Sequence, residues 1–263
     1  MNVRFSNFLN SLSLRFAVYL LVCFLSFSTV VSAAVTWGYI HISPQNISLL
    51  AILDDSSGKI YLQASGPAAE WFAWGFNTTN MNGYAVILNS GTLGNYFEST
   101  MAGDTMPPKD AIQEMSGSYC VTNNMVYYFL QRKLTSDASP FHYSFTTQPT
   151  NLPIVWAVGP GTRSFVKHAL SDRAADTLSS SNAPPPQFRS ISPTNGVAIL
   201  SMTNLIVAVT NRVQFKNDLN STNWTTLTNL LFLPPCGSPL LSIVTNLSTP
   251  LTNSNSRFFR ITQ

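Results

Sequence analysis

The stretch SLLAILDDSSGKIYLQA, Ser48 to Ala64, decides the fold class. Two apolar-rich runs, Ser48 to Leu53 and Lys59 to Ala64, flank the cluster Asp54-Asp55-Ser56-Ser57-Gly58. Each run is short for a helix and the cluster holds turn-forming residues, so the stretch reads as a β-hairpin. Adjacent aspartates can act as paired carboxylates, but followed by Ser-Ser-Gly-Lys they read as a turn.

The same punctuation continues outward. Glu70 to Phe76 (EWFAWGF), Gly83 to Leu88 (GYAVIL), Asn124 to Leu134 and Ile154 to Val158 are further candidate strands separated by polar loops. Only 10% of residues are charged against 45% hydrophobic, too few to build the polar faces of amphipathic helices. Thr, Asn, Ser, Gly and Pro carry the polarity instead, which suits short strands and turns. Asp172 to Pro186, ending in three prolines, is poor in apolar residues and reads as a stiff linker. Beyond it, 187–263 is again strand and turn, a small sandwich-like β module.

The first 33 residues read as a signal peptide. Arg4 and Arg15 make a basic start, Phe16 to Val31 is apolar, and Val31-Ser32-Ala33 offers small residues for cleavage, with Ala34 a near-equal alternative. The protein is therefore expected in a secreted, periplasmic or cell-surface location, with no further apolar stretch long enough to span a membrane. Removal of two arginines and no acid takes the net charge from +3 to +1, which gives no basis for nucleic-acid binding. Cys120 and Cys236 remain. They can pair in an oxidising compartment, but placement in different domains argues against a bridge, which needs Cα atoms within about 7 Å.

From Ser48 to His168 the order of features resembles the DOMON family. The similarity is carried by Trp71-Phe72-Ala73-Trp74-Gly75-Phe76, by Met81-Asn82-Gly83, by Arg132-Lys133-Leu134 followed by Asp137, and by Trp156-Ala157-Val158-Gly159 leading to His168. Where the family often has an acidic residue after its Met-x-Gly, this chain has Tyr84 and Ala85. The resemblance implies an all-β, immunoglobulin-like β-sandwich over 34–171. For cytochrome-type members it also implies a haem b iron held between Met81 and His168. Trp74 and Trp156 would lie around that haem, and Arg163 or Lys167 would meet its propionates. With both axial positions filled, the chemistry is electron transfer to a redox partner protein. Separately, the pattern Val213-Gln214-Phe215, Asn223-Trp224 and Arg257-Phe258-Phe259-Arg260 resembles a C-terminal module of secreted Verrucomicrobia and Planctomycetes proteins.

Two alternatives stand beside this. His142, in an aromatic run, is a rival ligand. Trp71, Phe72 and Trp74 could instead form a carbohydrate-stacking platform, making the protein a non-haem binding or adhesion module. No metal-ligand spacing, phosphate loop or nucleophile elbow is present in the sequence, so no enzymatic activity is expected.

Overall fold

The computed structural model describes residues 35–103, 105–138, 140–148, 150–233, 236–237, 242–250 and 257–262. The expected signal peptide, 1–33, lies outside them. The hairpin quoted above is β2 (Ile47–Asp54) and β3 (Lys59–Pro67), paired from Asp54 opposite Lys59 to Ser48 opposite Ser65. Asp54 accepts hydrogen bonds from the Ser56 N–H at 2.9 Å and the Ser57 hydroxyl at 2.7 Å, and Gly58 turns the chain at φ +64°. Asp54 therefore builds a turn.

Eight more strands complete the sheet: β1 (Val35–Ile42), β4 (Phe72–Phe76), β5 (Asn82–Leu88), β6 (Tyr96–Ala102), β7 (Ser116–Thr122), β8 (Met125–Lys133), β9 (Asn151–Val158) and β10 (Arg173–Asn182). All neighbours are antiparallel in the order β6-β5-β4-β9-β10-β1-β2-β3-β8-β7. The sheet folds over on itself. Leu49, Leu62, Val126 and Tyr128 from one half share a core with Phe72, Trp74, Val86 and Trp156 from the other. The result is the all-β sandwich expected from the sequence, with no α-helix among the described residues.

The linker read over 172–186 is largely a strand. Residues 173–182 form β10, which pairs with β9 on one side and β1 on the other. Low side-chain hydrophobicity did not prevent this, because the ladder uses backbone groups and only Leu178 is buried. The sandwich thus runs to Asn182, and only 183–186 connect it to the following strands.

The C-terminal part has two three-stranded sheets. One is β11 (Gln187–Thr194), β12 (Val197–Ile206) and β15 (Ser242–Pro250); the other is β14 (Thr225–Leu230), β13 (Asn211–Lys216) and β16 (Phe258–Thr262). Leu200, Met202, Leu205 and Val213 are its core. It is not a separate body, since Ile206 and Val209 pack on Val35, Leu50 and Ile52 of the sandwich.

That contact also corrects the expectation for the cysteines. Cys120 and Cys236 form a disulfide with Cα atoms 6.0 Å apart, because the C-terminal part folds against β7. Closing a loop of 116 residues removes much unfolded-chain entropy. Replacing both cysteines by serine is expected to cost about 2–4 kcal/mol, read as a lower denaturant midpoint than the oxidised wild type.

Candidate functional site

Side-chain alternation divides the aromatic strand β4. Phe72, Trp74 and Phe76 enter the sandwich core with Trp156, while Ala73 and Gly75 fall on the outer face beside Ala85, Val155 and Ala157. Small residues therefore floor a hollow on that face. A Cβ added at Gly75 would lie 2.6 Å from Val155 Cγ2 and 2.7 Å from Met101 Cε.

Two loops bring the expected ligands to this floor. The first turns at Asn77, φ +56°, and the Thr78 hydroxyl donates to the Asn80 carbonyl at 2.8 Å. At its end, the Gly103 N–H donates to the Met81 carbonyl and to Asn82 Oδ1, both at 2.8 Å, which fastens the start of β5 to the end of β6. The second loop, 159–168, is held by backbone bonds. Gly159 N–H donates to the Trp71 carbonyl at 2.7 Å, and Gly91 N–H donates to the Arg163 carbonyl at 2.6 Å. Gly159 allows the close approach, since a Cβ there would stand 2.5 Å from the Trp71 ring.

Met81 and His168, 87 positions apart (168 − 81), thereby line one narrow cleft with Trp71, Met101, Phe165 and Arg173. Phe165 packs edge-on against Trp71 at 5.0 Å and Phe97 at 5.7 Å, and the His168 ring lies 6.1 Å from that of Trp71. His168 Nδ1 is 3.0 Å from the Ala169 carbonyl. A hydrogen bond there puts the proton on Nδ1 and leaves the Nε2 lone pair for a metal. Trp71 Nε1 is buried with no hydrogen-bond partner.

The other sequence-selected residues go elsewhere. Trp74 and Trp156 are opposite one another on β4 and β9 but face the core, not the cleft. Arg163 does not line the cleft; its guanidinium donates to the Ala68 carbonyl at 3.3 Å. Lys167 does line it, and so does Arg173, which register places opposite Ala157. Arg173 and Met101 were missed because only strand pairing brings them here. The aromatic platform also falls, because Trp71, Phe72 and Trp74 are 2%, 0% and 1% exposed and offer no surface to a sugar.

The donor set suits haem: a thioether and an imidazole with its Nε2 available, apolar walls, a floor of small residues, and basic side chains for propionates. As folded, the cleft holds about 40 Å³, so a macrocycle must displace a wall such as Phe165. Beside it lies a hollow of about 410 Å³ that shares Met81, Gly103 and Arg173.

His142, the rival ligand, is on the inner side, tilted against the Tyr84 ring at 4.9 Å. It belongs to a buried charged network. Its Nδ1 is 2.7 Å from Glu114 Oε2 and its Nε2 is 3.2 Å from Asp110 Oδ2. Glu98, Glu114 and His142 have ligand atoms within 4.8 Å of one another. Their oxygens are already engaged, however. Glu98 accepts from the Tyr84 hydroxyl at 2.6 Å and the Met115 N–H at 2.7 Å, and Glu114 accepts from Ser136 and the Asp137 N–H. Arg132 stands beside both carboxylates at 3.9 and 3.7 Å. This arrangement is an ionic network whose carboxylate oxygens are engaged, rather than a metal cage, with Arg132 Nε alone left without a hydrogen-bond partner among the network's described groups.

Burial alone would raise the Glu114 carboxyl, but hydrogen bonds from Ser136, Asp137 and His142 and the Arg132 charge outweigh it and hold it below the ordinary 4.5. A carboxyl whose folded value is depressed contributes stability above its unfolded value and loses it as pH falls through the folded one. Thermal midpoints should therefore drop as pH falls below about 4.5, and Glu114→Gln should flatten that acid limb.

Fold and site together define a β-sandwich that presents a thioether and an imidazole in one cleft on its outer face. No family model matches the sequence, and no curated protein does. Among solved structures the chain is similar to the cytochrome b domain of pyranose dehydrogenase from Coprinopsis cinerea. Identity is 13% and the TM-score 0.44, over 55% of this chain and 80% of that one. A likeness of that size carries no inference here.

Proposed function

We propose that the protein is an exported haem b protein that relays single electrons to a redox partner, with Met81 and His168 as axial ligands. The observation that carries this reading is the meeting of two side chains 87 positions apart in one apolar cleft, the imidazole with its Nδ1 occupied by the Ala169 carbonyl. The iron, when bound, supplies a one-electron couple whose potential the soft thioether raises. The protein's own residues then bind and exclude. Trp71, Met101 and Phe165 keep the cleft apolar, and Lys167 and Arg173 bring positive charge to it. Were Met81 and His168 both to hold the iron, no position would be left on it for oxygen or substrate, which would favour a relay over a catalyst.

The Cys120–Cys236 bridge supports export, because such bridges persist in oxidising compartments. Among the described residues no helix is long and apolar enough to cross a membrane. The test is the absorbance of the purified chain before and after reconstitution with haem. A Soret band, with sharp low-spin bands on reduction, is the expected result. A chain that takes up no haem after reconstitution refutes the reading.

A further inference from the structure

A second cleft lies on the opposite layer, where the outer face of β3, β8 and β7 meets the loops of the C-terminal sheets. It encloses about 520 Å³, within the range of about 300–1,000 Å³ typical of small-ligand sites. Gln63 on β3 lines it and is only 5% exposed. Among the described residues neither Gln63 Oε1 nor Nε2 has a hydrogen-bond partner. Buried amides are nearly always satisfied, so a wholly unpartnered one lining a cavity marks a place for a ligand.

We propose that this cleft binds a neutral sugar unit of an oligosaccharide through the Gln63 amide. A primary amide offers one acceptor and two donors on one small group. Adjacent ring hydroxyls, each a donor and an acceptor, complement it. Tyr61 and Phe129 line the same cleft and supply aromatic surface for the C–H face of a sugar ring. Among the described lining residues Lys59 alone is charged, and its ammonium is 3.4 Å from Gln131 Oε1, which leaves the Gln131 amide nitrogen as a further donor. Leu231 and Leu233, 57% and 77% exposed, form an apolar lip on the C-terminal side. An extended peptide is a poorer occupant. Peptides add to a free sheet edge, which among the described strands lining the cleft only β7 offers; Gln63, Tyr61 and Phe129 stand on β3 and β8, paired on both sides, and so present side chains of a face rather than open backbone groups. The Cys120–Cys236 bridge ties the two walls together and so preforms the site. The haem cleft shares none of these residues, so either site can fail without the other.

The test uses the purified, disulfide-bonded chain titrated calorimetrically with neutral tetrasaccharides of glucose, xylose and mannose, and with a neutral peptide of similar length. Saturable binding of at least one tetrasaccharide is expected, weakened about tenfold or more by Gln63→Leu and by Phe129→Ala. Gln63→Leu should keep or raise the melting temperature, since it removes an unsatisfied buried amide, and Phe129→Ala guards against misfolding of the first variant. No binding of any tetrasaccharide at millimolar concentration overturns the proposal. So does unchanged affinity in Gln63→Leu, or binding of the peptide but of no sugar.

Discussion

Haem added to the His168→Ala chain is expected to give no low-spin spectrum, and to be held at least a hundredfold more weakly than the wild type would hold it. The basis is that His168 offers the single imidazole of the cleft, on a loop fixed through Gly159 and Arg163, with its tautomer set by the Ala169 carbonyl. Losing a supporting hydrogen bond of such a ligand already costs about 10–100-fold, so losing the ligand itself must cost more. Met81→Ala behaves differently. It keeps the histidine and the apolar walls, so haem is expected to stay bound but turn high-spin, with a lower reduction potential once the thioether is gone. Met101→Ala and Met106→Ala are the necessary companions, because Met101 and Met106 line the same cleft and have the same chemistry. If Met101→Ala loses the low-spin spectrum and Met81→Ala keeps it, the axial sulfur belongs to Met101. A wild-type spectrum in His168→Ala removes the histidine from the site.

The sequence carried the strands whose burial alternates and hid those held by backbone pairing alone. β2, β3, β4 and β9 announce themselves through apolar and aromatic runs, and each is buried along most of its length. β7, SGSYCVT, and β10, RAADTLSSSN, leave most side chains in solvent and gave no such signal. Missing β10 led to a linker in place of a strand. Assigning the cysteines to separate domains argued against a disulfide that the fold forms. At the candidate site, the ordered motifs single out Met81 and His168, and both line one cleft. The same motifs misplaced Trp74 and Trp156, because a one-residue step along a strand exchanges the faces: Ala73 and Ala157 look into the cleft where the tryptophans look into the core. Arg173 lay beyond reading, since its place depends on the register Arg173 opposite Ala157. Gln63 was equally silent, an ordinary residue in a strand until the C-terminal loops close over that face.

Arg132→Met is expected to be the most damaging single change to the fold. Arg132 and Glu98 are 4% and 0% exposed, and the guanidinium also sits 5.1 Å from the Tyr84 and Phe145 ring centroids while donating to the Lys133 and Tyr143 carbonyls. Methionine fills much of the volume, so the packing loss is modest. The electrostatic loss is not, because the buried Glu98 carboxylate loses the permanent Arg132 charge at 3.9 Å and keeps, among its described ion-pair partners, only the His142 ring at 3.5 Å. Removing one partner of a buried pair costs about 3–5 kcal/mol. For a domain of this size each kcal/mol moves the melting temperature by about 2–4 °C, so a fall of about 6–20 °C is expected. The network argues against attributing this to Arg132 alone. Tyr84, burial pushing its hydroxyl well above its ordinary value, donates as a neutral phenol to Glu98, and the Met115 N–H tethers the same carboxylate to the segment before β7. The double variant Glu98→Gln with Arg132→Met separates the contributions: it removes the stranded charge yet keeps a hydrogen-bonding side chain for Tyr84. Recovery of more than half the lost stability assigns the cost to the uncompensated carboxylate. No recovery assigns it to the carbonyl contacts and ring packing of Arg132, and a single-variant loss under about 1 kcal/mol shows that the buried pair does not hold the sandwich together.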